Sequence, residues 1–206
     1  IERLSDLAPL HNPSALAVLR RCQELLPHAL EVTAFDTAFH QTMPARNYVY
    51  PIPYRYYAEK GIRRFGFHGM SHKYVSRRAA EFLGKSPRDL KMITCHLGAG
   101  ASLTAIDHGI SMDTTMGYTP LDGIMMGTRS GSVDPAIITA IMEMDDLTPA
   151  ELDAILNRES GLLGVSGVSG DLRALKEVIK TGDEQAELAY DIFLTSIRRM
   201  IGPYFF

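Results

Sequence analysis

The chain has 206 residues, 46% of them hydrophobic and 22% charged, with a formal net charge of -3. That length holds one large domain, or one domain and part of another, and the composition excludes a disordered or collagen-like chain. A negative balance offers no basic field for a phosphate backbone, so no nucleic acid partner is expected, and no apolar run approaches the roughly 20 residues of a membrane span, so no membrane partner is expected either.

Two cysteines, Cys22 and Cys95, are too few for a disulfide framework. Their periodic or strand-like apolar contexts predict buried free thiols and a reducing, cytoplasmic setting. The chain opens at Ile1 without the layout of a signal peptide and stops on the apolar Pro203-Tyr204-Phe205-Phe206. It therefore reads as an internal fragment.

In chain order, Asn12-Pro13 caps a helix over residues 12 to 26, with Ala15, Leu19, Cys22 and Leu26 at helical spacing. Glu31 to Phe35 alternates and predicts a short strand running into Asp36. Residues 41 to 63, with Pro44, Pro51, Pro53 and five tyrosines, predict loop or extended structure and no helix. Ser71 to Phe82 predicts a helix stopping at Gly84. Lys91 to Leu97 and Ala101 to Ile106 predict two strands joined by the turn Gly98-Ala99-Gly100.

From Asp134-Pro135 onward the pattern is mainly helical. Thr148-Pro149-Ala150-Glu151 is a capping box, and a last helix over about 183 to 201 carries Ala189, Ile192, Phe193, Ile197 and Met200 on one face. The glycines at 161, 164, 167 and 170 predict a flexible loop near a ligand. Hairpins followed by helices indicate an α/β architecture.

Three tempting motifs fail. Gly84-Lys85-Ser86 lacks the P-loop glycine, because Ala79 stands in its place. His68 and His72 have the spacing of a helical zinc pair but Gly69 where a metalloprotease needs glutamate. Gly98-Ala99-Gly100 has Leu103 where a dinucleotide fingerprint needs its third glycine.

Phosphoryl transfer needs backbone donors that approach phosphate, cationic or imidazole side chains on the moving group, and carboxylates that handle magnesium or position the nucleophile. His96-Leu97-Gly98-Ala99-Gly100 places a histidine and two glycines where a strand turns, so N–H groups could face an anion. By itself that string is a turn. Arg129 sits among small residues before a proline-started helix whose N-terminus favours anions; alone it reads equally as a surface ion pair. His68 stands beside a glycine ahead of a helix, where a lone histidine is more often a cap or core residue.

The strings together are more specific. Phe35-Asp36-Thr37-Ala38-Phe39-His40, Gly66-Phe67-His68-Gly69-Met70-Ser71-His72, His96 to Gly100, and Gly127-Thr128-Arg129-Ser130-Gly131-Ser132-Val133-Asp134-Pro135, preceded by Leu10-His11-Asn12-Pro13, occur in the order and approximate separation seen in acetate kinases. The chain resembles that family over nearly its whole length.

The resemblance implies lobes of ribonuclease-H-like topology, as in actin-like ATPases, with residues 1–38 the end of the N-terminal lobe and 39–206 most of an incomplete C-terminal nucleotide-binding lobe. It implies reversible transfer of the ATP γ-phosphoryl group to acetate, giving acetyl phosphate and ADP. Asp36 matches the family's catalytic aspartate, and His68 and Arg129 its two transition-state stabilisers. His96, Leu97, Gly98, Ala99 and Gly100 match its phosphate loop, Asp171, Leu172 and Arg173 a second nucleotide segment, and His11 a further active-site histidine.

Many relatives carry asparagine at the position of Ala99. ATP or ADP and Mg2+ are the implied cofactors, with the metal ligands expected outside residues 1–206 along with other substrate-binding segments, so the isolated chain is not expected to turn over. A homodimer is implied, and a propionate or butyrate kinase is the near alternative. From another class, a truncated, non-catalytic module that dimerises is the competing reading.

Overall fold

The computed structural model describes residues 1, 2, 5 and 12–205. Contacts divide the chain into two compact units, Ile1–Phe35 and Asp36–Phe206.

In the first unit, α1 spans Asn12–Leu25 and buries none of its residues. Cys22 is exposed, against the expectation of a buried thiol. Glu31 to Phe35 forms no strand. Alternation gives a strand only where a neighbour completes the ladder, and no described residue pairs with this segment.

The second unit is built on an antiparallel sheet in the order β1-β2-β3. The predicted hairpin is present: β1 (Lys91–Leu97) and β2 (Ala101–Asp107) pair from Lys91 opposite Asp107 to Leu97 opposite Ala101, leaving Gly98 to Gly100 as the loop. A third strand, β3 (Ile110–Thr114), was not legible as one. It follows a two-residue turn in which His108 and Gly109 both have positive φ, at 53° and 80°. That geometry matches the right-handed twist of the flanking strands. Cys95, on β1, is exposed rather than buried.

β2 lies in the middle and divides two chemistries. Ala101 and Leu103, both fully buried, join Met116, Ile124 and Met126 in a core covered by Ile197, Met200 and Tyr204. Burying one such leucine contributes about 1.5 to 3 kcal/mol. Ser102 and Thr104, equally buried, point to the other face, where α4 (Gly69–Phe82) packs on β1. A helix was expected from Ser71; it begins two residues earlier.

Residues 41 to 63 contain two short helices, α2 (Ala45–Tyr48) and α3 (Arg55–Lys60), contrary to the expectation of none. The prolines precede the helices rather than interrupt them, as Pro44 does at the α2 N-cap, and Gly61 ends α3 in the left-handed region.

Beyond the sheet, α5 (Pro135–Asp145) and α6 (Pro149–Arg158) start at prolines, and α6 carries the full Thr148/Glu151 capping box. The segment predicted as a flexible glycine loop contains α7 (Gly161–Ser166). Gly161, at φ 64°, packs where a Cβ would collide with the Met126 carbonyl, so this glycine allows close approach rather than mobility. The last helices are α8 (Leu172–Ile179) and α9 (Glu184–Tyr204). Ala189 and Phe193 of α9 are buried with Leu162 and Leu175, whereas Ile192, predicted on that face, is 40% exposed.

Candidate active site

Asp36, His68 and Arg129 arrive from three separate segments. Arg64 fixes the strand-like approach to α4: its guanidinium donates to the carbonyls of Thr114, Thr115 and Met116 at 2.9, 3.0 and 3.1 Å. Phe65 and Gly66 then donate backbone N–H groups to the Gly117 carbonyl. His68 follows as the N-cap of α4 with φ 56°. That left-handed conformation is uncommon for a non-glycine residue.

Asp36 holds it there. Its Oδ2 accepts the His68 backbone N–H at 2.6 Å, and its carbonyl accepts the Gly69 N–H at 2.7 Å. A Cβ on Gly69 would strike that carbonyl, which explains the glycine after His68.

The His68 ring and the Arg129 guanidinium meet at Gly100. A Cβ there would lie 3.3 Å from Arg129 Nη1 and 3.5 Å from His68 Nε2. Arg129 is half-buried, and burial lowers its pKa. It forms no ion pair among the described residues; its guanidinium donates only a long bond, 3.4 Å, to the Pro120 carbonyl. The alternative reading of Arg129 as a surface ion pair therefore finds no partner among the described residues. The N-terminus of α5 has its own acceptor, since Asp134 Oδ1 caps it by accepting the Ala136 N–H.

The loop between β1 and β2 is braced by Gly127, whose N–H donates to the Ala99 carbonyl at 3.2 Å. A Cβ on Gly127 would lie 2.9 Å from the Gly170 carbonyl, so residues 98–100, 127 and 170 approach by backbone alone. Leu97 is half exposed at the loop entrance. Asp171, Leu172 and Arg173 follow Gly170 at the start of α8. There Arg173 pairs with Asp171 at 2.8 Å while remaining 92% exposed, and the pairing holds the Asp171 carboxyl down at about 2. Arg173 does not reach Gly100 or His68 by any bond described. His11 lies outside the described residues.

Four histidines cluster around this point, of which only His68 and His96 were singled out for chemistry. The His68 and His96 rings stack, and His96 Nδ1 lies 2.9 Å from Ser71 Oγ. His72 and His40 are almost fully buried. His72 bridges Thr94 Oγ1 and Ser102 Oγ, both at 2.8 Å, and Ser102 Oγ also lies 2.8 Å from His68 Nδ1. Small hydroxyls alternating along an otherwise apolar strand at Ser102 and Thr104 were the available signal, because a buried hydroxyl must find a partner. Burial lowers the pKa of all three inner rings, His68 to about 4 and His72 to about 3, with neighbouring imidazoles adding to the shift of His68 and His72, whereas at His40 the Phe67 carbonyl and Asp36 oppose it.

Such a site suits an anion. A half-buried guanidinium without a counter-charge is costly unless a ligand supplies one. Beside it a neutral imidazole offers a directed hydrogen bond. For a nucleotide, the loop between β1 and β2 presents Gly100 toward these groups, with Gly98 beside the His96 ring. For Mg2+, no three metal-ligating side chains converge among the described residues. Asp36 offers a single carboxylate, enough for an ion that keeps most of its waters and takes its other ligands from phosphate.

Comparison with known proteins gives a consistent result. Residues 1–206 match the Acetokinase family. Acetate kinases of Bacillus velezensis and Halothermothrix orenii are 54% and 55% identical to it over 204 residues, covering 99% of this chain but 52% and 51% of those proteins. The crystal structure of Porphyromonas gingivalis acetate kinase matches with a TM-score of 0.94 at 47% identity, covering 98% of this chain and 51% of that one. A propionate kinase from Francisella tularensis matches with a TM-score of 0.94 at 43% identity, covering 99% and 52%. The chain thus spans about half the length of the curated relatives it matches. Its α/β fold is that of these kinases, in agreement with the actin-like ATPase architecture implied by the motifs. The chain belongs to the acetokinase family.

Proposed function

We propose that this chain contributes the phosphoryl-transfer centre of an enzyme that moves the γ-phosphoryl group of ATP reversibly to acetate, yielding acetyl phosphate and ADP. The observation that carries this reading is the approach of the Arg129 guanidinium, which has no ion pair among the described residues, and the His68 ring to one point at Gly100. A carboxylate oxygen attacks phosphorus, the bond to the ADP oxygen breaks, and charge spreads over the three equatorial oxygens. Acetate is already ionised at pH 7, so no general base is required. Asp36 then serves to position His68 and to handle Mg2+, which would neutralise phosphate charge.

In this reading Arg129 supplies positive charge to the moving group and His68 a neutral N–H. Residues 96–100 and 171–173 face the nucleotide. Segments beyond this chain complete the metal and acetate sites. Residues 1–38 are then the end of one lobe and 39–206 most of the nucleotide-binding lobe, in a homodimeric protein. No described helix is long and apolar enough to cross a membrane.

A second acceptor, propionate, is favoured by the match to the Francisella tularensis propionate kinase. One methylene changes discrimination by about 10- to 200-fold. Acyl phosphate formation by the full-length protein with ATP and acetate, propionate or butyrate tests both readings. Highest kcat/KM on acetate is expected; no acyl phosphate with any of the three would refute phosphoryl transfer. A stable dimer without nucleotide binding would favour the non-catalytic module instead.

A further inference from the structure

His68 can donate toward Gly100 and Arg129 only when its proton resides on Nε2, and the residues behind the ring decide that. Ser102 Oγ stands between two imidazole nitrogens, His68 Nδ1 and His72 Nε2, at 2.8 Å from each. A hydroxyl has one proton to donate and can accept from other groups. The far nitrogen of His72 meets Thr94 Oγ1 at 2.8 Å. Ser102, His72 and Thr94 are 0%, 1% and 6% exposed, so water does not intrude.

With both rings neutral, two proton arrangements make all three of these bonds. In one, Thr94 donates to His72 Nδ1, His72 Nε2–H donates to Ser102, and Ser102 donates to His68 Nδ1. His68 then presents Nε2–H to the site. In the other every bond runs in reverse, and His68 presents a lone pair. A lone pair repels a phosphoryl oxygen, whereas an N–H bonds it, so an anion beside Arg129 selects the first arrangement along the whole chain. His40 stands outside this chain. Its Nε2 faces the Phe67 carbonyl at 2.9 Å, an acceptor only, which fixes its proton on Nε2 and leaves Nδ1 to accept from Ser111.

We propose that Thr94, His72 and Ser102 form a buried hydrogen-bond relay that sets His68 in its Nε2–H tautomer when an anion occupies the point beside Gly100. The three are positioning residues that act through His68, and the proposal rests on the phosphoryl-transfer reading above. In a serine-protease triad the wrong histidine tautomer costs about 10⁴ in kcat. Here the relay's loss still leaves half of the tautomer choices productive, so a smaller effect follows.

The test is 15N NMR of the histidine ring nitrogens in the full-length protein, with ADP and inorganic phosphate as the probe. His68 is expected to show a bare Nδ1 and a protonated Nε2 once the probe is bound. A protonated Nδ1, or a tautomer mixture unchanged by the probe, would overturn the relay. Ser102→Ala removes the donor to His68 Nδ1, so the probe should shift the tautomer mixture less completely than in the wild type and kcat should fall by about tenfold or more, with KM for ATP within about threefold; unchanged kcat would also overturn it. The wild-type spectrum needs no variant to fold. Failure of the kinase reading would appear separately, as absent acyl phosphate formation with the tautomer still readable.

Discussion

The imidazoles of His68 and His96 stack with centroids 4.0 Å apart and planes inclined by 20°. Two rings so placed resist carrying charge together, and burial already disfavours the His68 imidazolium, whose pKa falls to about 4. At pH 7 His68 is therefore a neutral donor, and Arg129 beside it carries the charge. Replacing His96 with asparagine removes one of the lesser causes. The His68 titration, followed by NMR, should move upward from about 4 yet stay below 6.5, because burial is the larger cause. A titration that does not move would show that the stack contributes nothing.

Acid should destabilise the protein through the same cluster. The folded pKa values of His68 and His72, about 4 and about 3, lie below the ordinary 6.5, and that of His40 is lowered as well. Between pH 6.5 and about 3 the unfolded chain therefore binds more protons than the folded one, so stability is fully present above 6.5 and is lost as pH falls through that window. Urea unfolding midpoints measured from pH 7.5 to 4 should decline below pH 6.5. They should decline less steeply in His72→Gln. A midpoint flat to pH 4 would contradict buried neutral rings.

Gly100→Ala isolates the site from the fold. Gly100 has no positive φ, and the atoms nearest the added methyl would be those of Arg129 and His68, at 3.3 and 3.5 Å. Stability should change by less than about 0.5 kcal/mol, while ADP affinity by calorimetry falls at least tenfold. Equal affinity would place the nucleotide phosphates elsewhere.

Asp36→Asn keeps an oxygen to accept the His68 N–H but exchanges a charge-assisted bond for a neutral one, a loss of about 1 kcal/mol. The fold should persist with kcat more than tenfold lower. Asp36→Ala should unfold more readily, since it leaves the N–H of a left-handed residue without its acceptor. Thermal melts of the two variants give the comparison.

What was legible in the sequence was local. The hairpin from Lys91, the helix before Gly84 and the Thr148 capping box each carry their own signal within a few residues, and each formed. Glu31 to Phe35 has a strand's alternation but no described partner, and β3 escaped because a histidine occupies the turn position where asparagine would announce a hairpin. Gly161 looked like slack and is instead a close approach of two backbones. Cys22 and Cys95 sit among apolar neighbours in sequence but on exposed positions in space.

The site was legible in part for the same reason. Asp36, His68, Arg129 and the loop at 98–100 belong to recognisable strings, and the fold brings them to one place. The relay behind them did not register, because His72, Thr94 and Ser102 become partners only when α4 lies across β1 and β2. A sequence reading could judge His68 and His72 only as neighbours on one helix.

The most direct measurement is the turnover of full-length protein carrying Arg129→Ala, assayed for acetyl phosphate formation from ATP and acetate. A guanidinium that stabilises the transferred phosphoryl group is worth about 10³ to 10⁵ in rate, so kcat should fall by about a thousandfold or more with the fold intact by circular dichroism. Turnover within about tenfold of the wild type would contradict an anion held between Arg129 and His68.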